Sequence, residues 1–175
     1  IDFSDNQYEV RPLIIEPKRK KDLDINIMMF FTGFTRFSSE MQKASKKIED
    51  KTVQLKEMLS LVDEAEKILT DRHSDLDQFG YLLDYTWKLK RQTGNKVSTD
   101  SIDALYEKAI KAGALGGKLL GAGGGGFLIF YVPEERRESV QKSLKELLYV
   151  PFHFEDGGTR VVHYAPETYT FRDVD

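Results

Sequence analysis

A glycine-rich segment is the feature of this sequence most suited to ligand chemistry. Residues 113–126 read GALGGKLLGAGGGG and contain eight of the chain's 13 glycines. The last four, Gly123 to Gly126, run directly into an apolar segment of sequence FLIFYV. Glycine weakens packing and costs more entropy to order than other residues. The run therefore indicates a need for bare backbone, for close approach of either a ligand or another part of the chain.

The flanks of this segment separate three kinds of glycine loop. Gly121, Gly123 and Gly126 match the G-x-G-x-x-G string of dinucleotide-binding loops, but that motif needs a strand before it and a helix after it, and here a strand follows. The phosphate loop of the Walker type needs Gly-Lys followed by Ser or Thr, whereas leucine follows the Gly-Lys pair at 117–118. The remaining possibility is a glycine turn between two adjacent strands. Its amides could hold an anion, or it could be only a tight hairpin that requires positive φ.

Cationic and hydroxyl side chains near this segment could bind a phosphate. Arg36 follows an apolar strand, and its guanidinium could form paired hydrogen bonds with a sugar phosphate, although a surface ion pair is the alternative. Thr32 and Thr35 could add hydroxyl bonds or cap the helix that follows. Lys118 lies within the glycine segment, close to any phosphate bound there.

Composition excludes several other function classes. Zero cysteines rule out disulfides, thiolate catalysis and cysteine-bound zinc, and agree with a reducing cytoplasm. The histidines His73, His153 and His163 lack ligand spacing, so we expect no protein-bound metal. A net charge of −3 gives no reason to expect a nucleic acid or an anionic membrane as partner. No apolar run approaches the roughly 20 residues of a membrane span. We therefore expect a cytoplasmic location.

The chain is long enough for one domain with a real core, and we expect a single domain over 1–175. Residues 1–24 predict an opening hairpin, up to Ile15, followed by a basic loop at 17–21. The rest, 25–175, forms the core, beginning with a buried strand at 25–31 (INIMMFF).

Apolar residues at spacings of three and four predict helices between 38 and 112. We expect a break near 49–51, and a capping box of Ser74 and Asp77 that begins a helix running to about residue 93. A further helix covers 100–112, with Gly113 as its C-terminal cap. The apolar stripe, a possible homodimer surface, comprises Met41, Ala44, Ile48, Thr52, Leu55, Leu59, Val62, Ala65 and Leu69.

The remaining residues predict two strands, a helix and a hairpin. The strands cover about 118–120 and 127–132, and the helix begins at Pro133 and ends near Leu148. Strands at 151–154 and 160–164 would then flank a Gly-Gly turn. This order predicts an α+β fold with a ferredoxin-like β-α-β-β-α-β sheet, helices inserted at 38–112 in the first crossover, and a hairpin at each end.

The string GGKLLGAGGGGF at 116–127 resembles the third signature motif of the GHMP small-molecule kinases, which include galactokinase, homoserine kinase, mevalonate kinase and phosphomevalonate kinase. More narrowly, the chain is similar to the C-terminal half of the D-glycero-D-manno-heptose phosphate kinases. That similarity covers nearly the whole chain and is carried by FTGFTR at 31–36, YTWKLK at 85–90, IDALY at 102–106 and AGAL at 112–115.

The resemblance implies transfer of the γ-phosphoryl group of ATP to a hydroxyl of a sugar phosphate, with Mg²⁺ countering the phosphate charge. It places the glycine turn in a cleft near substrate, so the implied binding residues are Gly121, Ala122, Gly123, Gly124, Gly125 and Gly126. Lys88 matches the family's Trp-Lys segment, so the resemblance implies that it is a further binding residue. Lys88 and Lys90 are two apart on a helix, so at most one is expected in the cleft. Trp87 is expected to pack in the core.

The two other family motifs, P-x-R-x-N-x-x-G-E and P-x-G-x-G-L-S-S-S-A, do not occur in these residues. The resemblance therefore implies a C-terminal lobe whose partner is an N-terminal lobe of the same enzyme, which binds most of the ATP and Mg²⁺. We expect no catalytic residue in this chain and no kinase activity from it alone. The implied role is heptose phosphate phosphorylation for nucleotide-activated heptose. A free-standing ferredoxin-like binding or regulatory module without catalysis is the alternative.

Overall fold

The computed structural model describes residues 1–33, 51–94, 97–121, 125–161 and 163. The predicted site residues Arg36, Ala122, Gly123 and Gly124 lie outside these ranges, as do Thr35 and the first half of the predicted helical stripe. The elements in chain order are β1 (Asp2–Ser4), β2 (Gln7–Glu9), α1 (Pro17–Asn26), β3 (Ile27–Phe31), α2 (Thr52–Thr70), α3 (Asp77–Gln92), α4 (Asp100–Ala112), β4 (Gly116–Leu119), β5 (Phe127–Tyr131), a 3₁₀ turn (Glu134–Arg136), α5 (Arg137–Ser143) and β6 (Leu148–Tyr149).

A four-stranded antiparallel sheet in the order β4-β5-β3-β6 organises the fold. β3 is central and pairs with β5 over its full length, from Ile27 opposite Tyr131 to Phe31 opposite Phe127. The split β-α-β-β-α-β connection predicted from the sequence is confirmed, because the second and third core strands form a hairpin and helices connect the others.

The two faces of the sheet bury different side chains, as strand alternation requires. Met28 and Phe30 of β3 face the larger core cluster, which also contains Phe130 and residues of α4 and α5. Ile27 faces the smaller cluster on the opposite side, with Tyr131 and apolar residues of α1, α2 and α3. The continuous apolar run in β3 thus reflects burial on both faces.

The predicted basic loop at 17–21 was wrong, because these residues form the first half of helix α1. Pro17 supplies the φ angle of the first helical position. Arg19 is buried, and its Nε donates to the carbonyl oxygens of Ile68 at 3.0 Å and Leu69 at 3.1 Å. The guanidinium therefore satisfies carbonyls in the last turn of α2 that lack helical partners. The run of charges suggested a solvated loop, but it did not reveal that Arg19 is buried against the end of α2.

The predicted capping box at the start of α3 was also wrong. The Ser74 hydroxyl donates to the carboxylate of Asp71 at 2.9 Å, and Asp77 lies inside the helix. The Asp75 carboxylate instead accepts from the backbone N–H of Asp77 at 3.0 Å. The next helix agrees with prediction: the Thr99 hydroxyl accepts from the Ile102 amide at 3.3 Å, and Gly113 ends α4 with φ 115°.

The last part of the chain departs most from the sequence prediction. Helix α5 ends at Ser143 instead of near Leu148, because Leu148 and Tyr149 turn back to pair with β3. No strand forms at 151–154, or at 160, 161 and 163 among the described residues of the other predicted strand. Instead the backbone N–H of Phe154 donates to Asp24 at 3.1 Å, and Phe152 packs on the smaller core cluster. Residues 151–154 are thus held by contacts with side chains and not by the predicted pairing of two strands.

An opening hairpin forms, with β1 and β2 paired and Asn6 between them at φ 64°, but β2 ends at Glu9, so the prediction of a hairpin up to Ile15 was too long. None of the predicted stripe residues that lie in α2 is fully buried: Leu59 is 69% and Val62 57% exposed, whereas the buried residue of this helix, Ile68, lies outside the predicted stripe. None of the described helices is both long and apolar enough to cross a lipid bilayer.

Glycines allow helix α3 to lie directly on strand β4. A Cβ at Gly116 would lie 2.0 Å from the carbonyl oxygen of Gly80 and 2.6 Å from the amide nitrogen of Asp84. A Cβ at Gly117 would lie 2.3 Å from the carbonyl oxygen of Ile129. All three distances are much shorter than a van der Waals contact, and the atoms that would be met belong to the rigid backbone. The first part of the glycine-rich segment is thus required by backbone packing.

Replacing Gly116 by alanine should therefore destabilise the fold severely. Since the obstacle is the backbone of α3, the helix must shift, and we expect the free energy of unfolding to fall by about 3 kcal/mol or more. Urea unfolding followed by circular dichroism measures this change. Gly157→Ala is the control, because its Cβ would meet only the flexible Glu155 side chain, at 3.0 Å. Equal stability of the two variants would contradict the packing argument.

Candidate functional site

The glycine turn joins β4 to β5 and is held at both ends. Gly121 has φ 92° and Gly126 has φ 105°, values that side chains rarely allow. The backbone N–H of Leu120 donates to the carbonyl of Phe127 at 2.8 Å and closes the base of the turn. A Cβ at Gly121 would meet nothing within 4 Å. Glycine is therefore required at position 121 by its positive φ and not by the closeness of neighbouring atoms. The space beside its backbone is free of described atoms.

Thr32 fixes the end of the turn. Its amide donates to the carbonyl of Gly126 at 2.9 Å, and its hydroxyl donates to the same oxygen at 2.8 Å. Thr32 is only 6% exposed. This predicted substrate-binding residue therefore positions the glycine turn through two bonds to one carbonyl.

A cavity of about 270 Å³ lies beside the start of the turn, between α3 and β4. Lys118 and Gly121, both predicted site residues, line it together. The described residues that line it are Met58, Leu83, Thr86, Trp87, Lys90, Val97, Lys118, Leu119, Leu120 and Gly121. Among these described residues are two lysines and no acidic residue. This electrostatic character fits an anion.

The two lysines of the YTWKLK segment point to different places, as their spacing predicts. Lys88, the predicted binding residue, does not line this cavity; its ammonium pairs with the Asp84 carboxylate at 2.6 Å. Lys90 lines the cavity instead. Its position one turn beyond Thr86, another lining residue, is the sequence signal that could have identified it.

Trp87 lies in the core, as predicted, and is 3% exposed. Its ring packs near Tyr106, with centroids 6.2 Å apart. Its indole Nε1 is the single buried side-chain nitrogen or oxygen without a hydrogen-bond partner among the described residues. The same side chain forms part of the cavity wall.

Tyr106 links the cavity-lining helix to the glycine segment. Its hydroxyl donates to Asp84 at 2.9 Å and accepts from the backbone N–H of Gly117 at 3.2 Å. Burial, followed by the hydrogen bond to the Asp84 carboxylate, raises the pKa of this hydroxyl well above its ordinary value. Tyr106 therefore stays protonated and acts as a structural tie.

The largest cavity described has different chemistry. It measures about 890 Å³, shares Leu83 and Leu120 with the smaller cavity, and is lined mainly by apolar residues, including Met29 and Ile129. Its charged residues are Lys20, Glu155 and Asp156, and Lys20 already pairs with Asp156. Two carboxylates and a neutralised lysine do not favour a phosphate, so the smaller cavity is the better candidate site.

The described residues do not offer a magnesium site of their own. No group of three or more histidine, aspartate or glutamate side chains is gathered within the ranges that the structure describes. The cavity beside the glycine turn also lacks the carboxylate oxygens that Mg²⁺ prefers. No step involving a protein-bound metal is therefore assigned to these residues.

Comparison with known proteins fixes the family. The family described as GHMP kinases C terminal matches residues 62–150, just over half of the chain. The chain belongs to the GHMP kinase family. The match begins within α2, continues through the glycine turn and ends after β6, so it includes both walls of the candidate site.

Individual relatives agree with this placement. The chain is 29% identical over 162 residues to D-glycero-alpha-D-manno-heptose 7-phosphate kinase of Campylobacter jejuni, covering 90% of this chain and 48% of that protein. It is 32% identical over 124 residues to mevalonate kinase of Pyrococcus horikoshii, covering 66% of this chain and 36% of that protein. The chain thus spans about half, or less, of the length of these relatives.

A solved relative has the same architecture. The crystal structure of Methanococcus jannaschii mevalonate kinase superposes with a TM-score of 0.63 and 27% identity, covering 78% of this chain and 42% of that one. The GHMP kinase C-terminal fold predicted from the glycine motif is confirmed. The relatives carry names for different acceptors, so they support a small-molecule kinase family without fixing the acceptor.

The two hydrogen bonds of the Tyr106 hydroxyl, to Asp84 and to the Gly117 amide, predict how much stability is lost without it. Tyr106→Phe keeps the ring but leaves the Asp84 carboxylate and the Gly117 amide without this partner. We expect the free energy of unfolding at pH 8 to fall by about 1 to 3 kcal/mol, measured by urea denaturation.

The pH dependence of this loss tests its cause. Because folding raises the hydroxyl's pKa, its contribution is fully present below about pH 10 and is lost as the pH rises further, when the unfolded tyrosine ionises first. The stability difference between wild type and Tyr106→Phe should therefore shrink above about pH 10, by up to about 1.4 kcal/mol per pH unit. A difference independent of pH would contradict the assignment.

Proposed function

We propose that the chain is the C-terminal lobe of an ATP-dependent sugar kinase that phosphorylates a D-glycero-D-manno-heptose phosphate. The observation that carries the proposal is the glycine turn, fixed by Thr32 and opening beside a cavity with two lysines and no carboxylate. Similarity to a heptose 7-phosphate kinase over 90% of the chain supports the choice of acceptor.

In this proposal the lobe positions substrate and stabilises charge. Phosphoryl transfer depends mainly on alignment of the reactants and on groups that offset negative charge. Five of the six residues from Gly121 to Gly126 are glycines without side chains, which would let a phosphate approach the backbone closely, and Lys118 would contribute positive charge. Arg36, carried from the sequence pattern, is proposed as a further phosphate ligand.

The proposal gives the other half of the reaction to an N-terminal lobe. That lobe would bind most of the ATP and Mg²⁺ and supply the group that activates the acceptor hydroxyl. The 175-residue chain alone is accordingly proposed to lack kinase activity.

A turnover assay with the intact protein tests the function. With Mg-ATP, we expect phosphorylation of D-glycero-D-manno-heptose 7-phosphate, and much lower kcat/KM for galactose and mevalonate. ADP release coupled to NADH oxidation gives the rate, and mass spectrometry identifies the product. Preference for mevalonate or galactose would replace the proposed acceptor within the same family. No turnover with any acceptor would favour a binding module.

The glycine turn supplies a site-directed test. In the intact protein, Gly124→Val should lower kcat by about a hundredfold or more, since a small displacement of aligned reactants costs that much. Thermal unfolding should show that the lobe remains folded. Gly157→Val is the matched control, because residue 157 is exposed and lies outside both cavities. Equal turnover of the two variants would remove the functional claim for the turn.

A further inference from the structure

We propose that one face of the opening hairpin is the docking surface for the N-terminal lobe of the same enzyme. This apolar hairpin face consists of Ile1, Phe3, Tyr8 and Val10. The inference rests on the proposed function in that it needs a second lobe in the same polypeptide, and it adds which surface of this chain that lobe covers. It concerns assembly, so it can be tested without turnover.

Strand alternation gives the hairpin one apolar and one polar face. Phe3 of β1 lies opposite Tyr8 of β2, and Ile1 and Val10 stand two positions from them, so the four share a face. The opposite face carries two polar pairs, Asp2 with Glu9 and Ser4 with Gln7. Antiparallel sheets with this division pack the apolar face on a core and leave the polar face in water. The hairpin therefore has the pattern of a sheet that covers an apolar partner.

The apolar hairpin face is not covered by the residues that the structure describes. The exposed fractions are 72% for Ile1, 81% for Phe3, 73% for Tyr8 and 64% for Val10. No residue of the hairpin belongs to either core cluster of the described residues. A two-stranded hairpin is only marginally stable in water unless its apolar face packs against something. A group of neighbouring apolar side chains this exposed marks an interaction surface.

Arg11 fixes the base of the hairpin to helix α2. Its Nε donates to the Asp2 carboxylate at 3.0 Å, and its two terminal nitrogens each donate to Glu66 of α2 at 3.0 Å. A paired contact between guanidinium and carboxylate sets direction as well as distance. Because Asp2 belongs to the polar face, this contact does not use the apolar side chains. The hairpin thus has a defined position before a partner binds, which lowers the entropic cost of docking.

The size of the apolar hairpin face favours a tethered lobe over a second copy of the chain. Its four side chains expose roughly 500 Å² in total, since a large aromatic side chain contributes about 150 to 250 Å². Stable complexes of separate proteins need about 800 Å² on each partner. A lobe of the same polypeptide needs less, because the connection gives it a high effective concentration. The chain spans 48% of its heptose 7-phosphate kinase relative, a protein long enough to contain such a lobe.

Photo-cross-linking of the intact protein identifies what covers the face. The cross-linker p-benzoylphenylalanine replaces Phe3, whose aromatic character it keeps, and mass spectrometry locates the linked peptide. We expect links to the N-terminal lobe. The matched control carries the cross-linker in place of Gln7, on the polar face, and should give few such links. A mixture of ¹⁵N-labelled and unlabelled protein separates links within one polypeptide from links between copies.

Thiol labelling of the intact protein measures how completely the face is covered. The chain contains no cysteine, so each introduced thiol adds one new reactive site. Phe3→Cys should react with a maleimide about tenfold more slowly than Ser4→Cys, because its thiol becomes accessible only when the lobes separate. Both positions are exposed in this chain and lie on opposite faces, so the pair is matched. Thermal unfolding checks that both variants are folded.

The outcomes separate this inference from the kinase proposal. Links from position 3 to the N-terminal lobe, with few from position 7, support the docking surface even if no acceptor is phosphorylated. Slow labelling of Phe3→Cys adds that the face is covered most of the time. Links from position 3 mainly to a second copy, mainly within residues 1–175, or to nothing would overturn the inference and leave the kinase proposal to its turnover assay. Equal linking to the N-terminal lobe from both positions would also overturn it.

Discussion

The close contact between helix α3 and strand β4 determines the rest of the site. Gly80 and Gly116 meet where a Cβ on Gly116 would lie 2.0 Å from the Gly80 carbonyl oxygen. This contact sets the distance of the helix from the sheet edge. Further along, the same helix contributes Trp87 and Lys90 to the cavity wall. Any residue larger than glycine would separate the two walls of the cavity.

The Tyr106 hydroxyl secures this arrangement through polar contacts. By binding both Asp84 on α3 and the Gly117 amide on β4, it fixes the helix along the strand as well as against it. Asp84 also holds Lys88 at 2.6 Å. One carboxylate thus stabilises the packing and pairs with Lys88, whereas Lys90 and Lys118 line the cavity.

The sequence predicted elements whose causes are local and missed those decided by distant contacts. Thr99 and Gly113 cap α4 through neighbouring backbone, and β3 is apolar throughout because both its faces are buried. The basic segment at 17–21 is helical and not a solvated loop, and within it Arg19 is hydrogen-bonded to Ile68, 49 positions away. Similarly, Asp24 holds Phe154 across 130 positions, where a hairpin was predicted. No local pattern contains these partners.

Within the glycine-rich segment, some glycines are required by contacts with distant parts of the chain and others by the local backbone conformation. The first glycines, Gly116 and Gly117, are explained by crowding, since a Cβ there would overlap backbone. Gly121 and Gly126 are explained by positive φ: a Cβ at Gly121 would meet no described atom within 4 Å, and a Cβ at Gly126 would make an ordinary contact of 3.4 Å with the Leu120 carbonyl oxygen. A single glycine-rich string therefore serves two requirements in succession: it brings the helix onto the strand, and then turns the chain at the mouth of the cavity which that packing creates.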